Sequence, residues 1–265
     1  MTAQFSIREA DPQIAARLAH DLGLPRFIAT TLVARGITTV RAAKRFLNPS
    51  LDRDWLDPYT IPGLADVADA LEAVIKRDGR IVVFGDFDLD GISATTVLTR
   101  GLRALGAKAT PFIPRRFEEG YGLSVEAFER IKELSPDFIV TVDCGIASKN
   151  EAEAIKREGV GLAITDHHEA ADLVPEGVPV ADPKCDEGCG SAILAGVGVA
   201  LKLVQVLGGR FGQPHLWRDY TDFATLGTVA DLMPMRGENR ALVADGILRM
   251  NTSPRPCIAA LVGTS

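Results

Sequence analysis

Three aspartates at every second position, Asp86, Asp88 and Asp90, close the run Ile81-Val82-Val83-Phe84-Gly85-Asp86-Phe87-Asp88-Leu89-Asp90-Gly91. If the chain stays extended beyond the apolar stretch, side chains at i, i+2 and i+4 share one face and the carboxylates crowd together. Two like charges about 4 Å apart repel by roughly 4 kcal/mol at an effective dielectric of about 20. A cluster of this kind calls for a cation, and a divalent metal is the natural one. Two further signals end apolar runs: Phe138-Ile139-Val140-Thr141-Val142 leads into Asp143-Cys144-Gly145, and Leu162-Ala163-Ile164-Thr165 leads into Asp166-His167-His168. A fourth, Asp231, follows Leu226-Gly227-Thr228-Val229-Ala230 in a helical or loop setting. Mixed carboxylate and imidazole donors suit manganese, with magnesium the alternative if oxygen ligands dominate.

The surrounding secondary structure is legible as a rhythm. Residues 1–78 read as a helical lead-in, with helical periodicity at Ile14–Ala19 and Phe27–Val33, breaks at Gly23, Pro25 and Gly36, and a further helix at Leu64–Lys76. Strand-like runs then recur at Ile81–Phe84, Ala109–Ile113, Phe138–Val142, Leu162–Thr165 and Val178–Ala181. Amphipathic stretches near Thr95–Leu105, Val125–Leu134 and Lys149–Glu158 separate most of them. Strand–helix alternation predicts an α/β fold with a mostly parallel five-stranded sheet flanked by helices over residues 79–265. A helical carboxyl-terminal segment follows, with helices at Ala192–Leu207, Leu216–Leu226 and Arg240–Met250. In an open parallel sheet the carboxyl ends of the strands share one edge, so Asp88, Asp90, Asp143, Asp166, His167 and His168 should converge there.

Composition sets outer limits. At 265 residues, 46% hydrophobic and 24% charged, the chain has the profile of a soluble globular protein. It contains no apolar run of transmembrane length and no signal-peptide pattern at Met1-Thr2-Ala3-Gln4, so no membrane association is expected. Four scattered cysteines do not form a disulfide scaffold and fit a reducing cytoplasm. A net charge of −6 argues against indiscriminate coating of nucleic acid, but acidic metal ligands inflate that count.

Every signal has a plainer reading. An aspartate after a strand is often only a turn or helix cap. Adjacent histidines at the end of an apolar run are harder to dismiss, since buried neutral rings need polar partners. Arg115-Arg116-Phe117 could bind phosphate and stack on a base, or be a solvated basic turn. Ser124 ends the loop Gly120-Tyr121-Gly122-Leu123 and reads as an N-cap whose helix terminus could receive phosphate. Gly196-Val197-Gly198 reads as close backbone packing within an apolar helix. Cys185 and Cys189 lack a second pair of metal ligands, Cys144 lacks an assigned base, and Gly85–Gly91 lacks the lysine of a P-loop.

Taken together, these residues resemble the DHH phosphoesterase family, whose triplet stands here as Asp166-His167-His168. Within that family the similarity is to the bacterial exonucleases specific for single strands. It is carried by Gly85–Gly91, by Arg116-Phe117-Glu118-Glu119-Gly120-Tyr121-Gly122-Leu123-Ser124, by Leu194–Val199 and by Gly227–Asp231, with Ala34–Ile37 to Phe46–Pro49 similar to the family's lead-in helices. Arg115 stands where the family usually has Asn, and Asp182-Pro183-Lys184-Cys185 where an Asn-Pro-Asn-type turn is common. The resemblance further implies a second cleft domain and an oligonucleotide-binding domain, so the sequence is expected to be the amino-terminal part of a longer chain.

The resemblance implies two-metal phosphodiester hydrolysis. Asp88, Asp90, Asp143, His167 and Asp231 would ligate two manganese ions, Asp143 bridging, with Asp86 a further ligand or an outer acceptor. His168 would contact the scissile phosphate, Asp166 would orient its neighbour, and Arg116, helped by Arg115, would hold the substrate backbone. Single-strand preference, 5′-to-3′ polarity, a role in DNA repair and recombination, and encounters with a helicase and a single-strand-binding protein rest on the resemblance alone. Two rivals are a family member acting on short oligonucleotides, cyclic dinucleotides or pyrophosphate, and a scaffold that has kept the fold without the chemistry.

Overall fold

The structure, a computed structural model, describes residues 8–118, 120, 122–170 and 173–264, so Met1–Gln4 and, within the Arg116–Ser124 segment, Glu119 and Tyr121 lie outside the described residues. The chain forms two compact units, one up to Ser50 and one from Leu51. In the first unit α1 (Pro12–Leu22), α2 (Arg26–Ala34) and α3 (Val40–Leu47) enclose Ala15, Leu18, Ala29, Leu32, Val33 and Ala43. Its boundaries follow the local chemistry. The Asp11 carboxylate accepts the Gln13 and Ile14 N–H groups at 2.8 and 3.1 Å, and Gly23 ends α1 in the left-handed region at φ +62°.

The second unit begins with the short α4 (Leu51–Asp54) and α5 (Leu64–Lys76). It continues β1 (Arg80–Gly85), α6 (Leu89–Ala104), β2 (Lys108–Phe112), α7 (Val125–Lys132), β3 (Phe138–Val142), α8 (Lys149–Arg157), β4 (Gly161–Thr165) and β5 (Val180–Ala181). The helices α9 (Gly196–Arg210), α10 (Thr221–Ala230), α11 (Gly237–Thr252) and α12 (Pro256–Thr264) complete it. The five strands are all parallel, in the order β2-β1-β3-β4-β5. Alternation along β1 explains the double layer of helices. Ile81 and Val83 point into one core with α5, α6 and α9, while Val82 and Phe84 point into another with α7 and α8. The order reverses between β1 and β3, which opens a crevice above their carboxyl ends. Among the described residues no helix is long and apolar enough to cross a membrane.

Several boundaries differ from expectation, and the reasons bear on the site. Helix α6 starts at Leu89 rather than near Thr95, because the Asp88 side chain caps it by accepting the Gly91 N–H at 2.9 Å. The three aspartates therefore do not alternate along a strand. Asp86 follows β1, Asp88 is the cap and Asp90 lies in the first helical turn. Helix α9 starts at Gly196, not Ala192. The stretch Leu216–Leu226 divides into a 3-10 turn at Leu216–Tyr220 and α10. β5 is shorter than expected, and α12 had no counterpart in the sequence reading. Helix α5, grouped by sequence with the lead-in, buries Leu64, Val67, Ala68, Leu71 and Val74 in the core of the sheet unit.

Candidate metal centre

Four segments bring carboxylates and imidazoles to the crevice. The β1–α6 connection supplies Asp86, buried, Asp88, exposed, and Asp90, 1% exposed. Two glycines let this turn close. A Cβ at Gly85 would lie 1.9 Å from Thr95 Oγ1, and one at Gly91 would lie 2.4 Å from the Asp86 carbonyl oxygen. At the end of β3, Asp143 takes φ +61°, a left-handed conformation that aspartate tolerates better than most residues. Gly145 follows at φ +109°, and Thr141 Oγ1 donates to the Cys144 carbonyl at 2.8 Å to fix the turn.

At the end of β4, Asp166 is buried and acts as a local anchor. Its carboxylate accepts the N–H groups of Ile146 at 2.9 Å and His167 at 2.7 Å, and lies 2.6 Å from His168 Nδ1. His167 is buried and turns Nε2 into the site, 3.0 Å from Asp143 Oδ1, 3.7 Å from Asp231 Oδ2 and 3.8 Å from Asp90 Oδ2. Asp231 ends α10, with its N–H bonded to the Gly227 carbonyl at 2.9 Å.

The sequence did not disclose what holds Asp90. Its carboxylate accepts the backbone N–H groups of Gly196 at 2.7 Å and Val197 at 3.1 Å, so it caps the first turn of α9. A Cβ at Gly196 would lie 2.4 Å from Asp143 Oδ1, and one at Gly227 would lie 2.4 Å from Asp90 Oδ1. The glycines of both helical motifs thus exist to admit aspartates. The only hint in the sequence was glycine at the head of an otherwise apolar run.

The electrostatics are those of crowded, buried carboxylates. Burial, then repulsion from Asp143, pushes the Asp90 carboxyl up to about 8. Burial, with the neighbouring Asp88 and Asp166, likewise pushes Asp143 up to about 8. Burial raises Asp86 as well. Oδ1 of Asp86 and Oδ1 of Asp143 are buried without a hydrogen-bond partner. His168 is the exception: the Asp166 hydrogen bond raises it to about 9. Burial alone would raise Asp166, but the His168 ring and the Ile146 N–H outweigh it and hold Asp166 below the usual carboxylate range.

Among the described residues three groups can bring ligand atoms within 4.8 Å of one another: Asp143, His167 and His168; Asp90, His167 and Asp231; and Asp86, Asp88 and Asp143. Asp143 and His167 each belong to two of them. The donor set is oxygen-rich with imidazole, which fits a hard or borderline divalent cation. The orphaned oxygen of Asp143 is the kind of atom such an ion would satisfy. No cysteine joins any of these groups, and burial holds the Cys144 thiol well above its ordinary value.

The expected substrate contacts are placed unevenly. Arg116 lies over the Phe87 ring at 4.9 Å, beside the Asp86–Asp88 turn, and Phe117 is fully exposed. Arg115 is paired with Glu118 at 2.7 Å. The Ser124 hydroxyl accepts the Ala127 N–H at 3.1 Å, so its oxygen is used as the cap of α7.

Comparison with known proteins agrees with this geometry. Residues 80–228 match the model of the DHH family, N-terminal domain. The chain is 36% identical over 264 residues to the single-stranded-DNA-specific exonuclease RecJ of Bacillus subtilis (strain 168), covering 99% of this chain and 33% of that protein. To the corresponding exonuclease of Thermus thermophilus it is 41% identical over 208 residues, covering 76% of this chain and 30% of that one. The crystal structure of RecJ from Thermus thermophilus in complex with Mn2+ has a TM-score of 0.80 at 32% identity, over 97% of this chain and 36% of that one. The chain thus spans about a third of the length of these two relatives.

Proposed function

The chain belongs to the DHH family, and from that premise we propose that it carries the phosphodiester-hydrolysing centre of a manganese-dependent exonuclease acting on single-stranded DNA from the 5′ end. The observation that supports this reading most is the membership of Asp143 in two separate ligand groups, one reaching His167 and the other Asp86 and Asp88. Asp88, Asp90, Asp143, His167 and Asp231 would hold two ions, with Asp143 serving both and Asp86 a further ligand or a hydrogen-bond acceptor. Such ions would supply activated water and charge stabilisation for phosphodiester hydrolysis.

The chain's own side chains do the rest. His168, whose Nδ1 lies 2.6 Å from the Asp166 carboxylate and whose pKa that contact raises to about 9, offers its ring to an oxygen of the scissile phosphate. A ring held in this state is a poor metal ligand and a good phosphate donor, so we place His168 on the substrate side. Arg116, steered by the face of Phe87, holds a backbone phosphate. Phe117 offers an exposed ring on which a base can stack. Arg115 and Ser124 contribute less, since each is already engaged.

The test incubates the chain with manganese and with single- and double-stranded DNA labelled at the 5′ end, beside Asp143→Ala. Release of short labelled products from single strands only, absent in the variant, supports the reading. Undiminished activity in Asp143→Ala overturns it.

A further inference from the structure

Besides the Asp86 and Asp143 oxygens, the buried polar atoms that lack a hydrogen-bond partner among the described residues include two on neighbouring strand ends. One is Nδ1 of His167, on the side of the ring away from the Nε2 that faces Asp90, Asp143 and Asp231. The other is Oδ2 of Asp182, a residue with no exposed surface that directly follows β5. β4 and β5 are paired in parallel with Thr165 opposite Ala181, and the Asp166 N–H donates to the Ala181 carbonyl at 3.1 Å. Their next residues therefore leave the sheet side by side. Oδ1 of Asp182 accepts the Lys184 N–H at 2.7 Å, which fixes the carboxylate and leaves Oδ2 committed to nothing else.

A histidine that ligates metal through one nitrogen donates the other N–H to an acceptor, and this partner sets its tautomer and ring orientation. Two orphaned buried atoms on adjacent strand ends, with no direct bond between them, are the setting in which one ordered water satisfies both. We propose that Asp182 is a positioning residue for His167, accepting its Nδ1–H through a bridging water and so presenting the Nε2 lone pair to the metal. The inference rests on the proposed metal role of His167. It also explains why aspartate or asparagine would serve at this position: each keeps a side-chain oxygen beside the same turn.

The test measures Mn2+ binding by the disappearance of the free-ion electron paramagnetic resonance signal, with folding checked by thermal melts in EDTA. Asp182→Ala should weaken Mn2+ binding by about 10- to 100-fold, and Asp182→Asn should recover most of that loss. If the alanine protein does not fold, Asp182→Ser keeps a hydroxyl for the Lys184 N–H while withdrawing the second oxygen, and should show the same weakening. Because Asp182 acts through His167, its substitution should have no further effect in a His167→Ala background. Unchanged Mn2+ affinity in a folded Asp182→Ala or Asp182→Ser protein, or losses that simply add in the double variant, would overturn the assignment. Absence of Mn2+ binding in the unsubstituted protein would instead overturn the metal reading on which it stands.

Discussion

Asp90 Oδ2 accepts the Gly196 backbone N–H at 2.7 Å, so a carboxylate in the first turn of α6 serves as the cap of α9. The arrangement works in both directions. The helix gains a partner for its orphan N–H groups, and the partial positive charge at its start offsets part of the cost of burying Asp90.

The close approach makes Gly196 irreplaceable. A Cβ there would meet Asp143 Oδ1 at 2.4 Å and Asp143 Cβ at 2.5 Å. Gly196→Ala should lower unfolding free energy by about 1–3 kcal/mol and cut Mn2+ affinity by about tenfold or more. Gly198→Ala is the control, since the atoms nearest its Cβ would be those of the Leu194 side chain, at 3.1 Å. Chemical denaturation and Mn2+ titration of the two proteins should separate them: both lose stability, and only the first loses metal.

Stability of the metal-free protein should fall as pH rises. A carboxylate whose folded pKa is raised favours the folded state at low pH, and that contribution is lost as pH climbs from its unfolded value, near 3.9, through the folded one. Asp90 and Asp143, at about 8, have this sign. So does His168, whose Asp166 partner raises it to about 9 and whose contribution is lost as pH passes that value. Thermal melts in EDTA should therefore drop between about pH 5 and pH 8.5, and added Mn2+ should raise the midpoint more at the alkaline end. A flat profile, or a larger Mn2+ effect at the acid end, would contradict the assignment of these carboxylates.

Arg116 and Phe87 should behave as one unit. Arg116→Ala removes a phosphate contact and should raise KM for single-stranded DNA by about tenfold with a smaller change in kcat, an effect of about 1.4 kcal/mol. Phe87→Leu keeps the apolar bulk but removes the ring face that lies 4.9 Å from the guanidinium, and should reproduce part of the same KM rise. Steady-state kinetics on the two single variants and the double variant would show non-additive effects.

Glu238 carries a different burden. The buried Lys202 ammonium pairs with Glu238, donates to the Leu56 carbonyl at 2.5 Å and lies 3.8 Å above the Trp55 ring. Glu238 also accepts Ser191 Oγ at 2.6 Å and the Leu56 N–H at 2.8 Å. Burial lowers the lysine pKa, and removing its partner leaves an uncompensated charge. Glu238→Ala should cost about 3–5 kcal/mol of unfolding free energy, and pairing Glu238→Leu with Lys202→Met should restore much of it. Equilibrium urea denaturation reads both.

The sheet was legible because its strands are short apolar runs that helical stretches interrupt, and Phe138–Val142 appears with the boundaries expected of it. The convergence of Asp143, His167 and the acidic turn after β1 was also legible, since parallel strands share an edge. The aspartates' spacing has another origin, because the strand ends at Gly85. Alternation predicts one face of a strand, whereas Asp88 ends the extended chain by capping α6, and no periodicity reveals a side chain's choice to cap. The contributions of Gly196, Gly227 and Asp182 were hidden for a related reason. They depend on where α9, α10 and β5 dock, and a local pattern holds no such information. Lys202 and Glu238 were equally opaque, because a lysine in an apolar helix gives no sign of a partner 36 positions away.

Gly227 seats α10 against Asp90, and Asp231 stands one turn further along the same helix. Asp90 and Asp231 are separated by about 140 residues of chain, so the centre depends on a strongly non-local contact and should form late. During synthesis, which proceeds from the amino terminus, the acidic turn, the left-handed aspartate and the histidine pair all leave the ribosome before α10 can dock. A growing chain thus carries the sheet before it carries the chemistry. A centre assembled in that order lacks one of its carboxylates until the fold around it is complete.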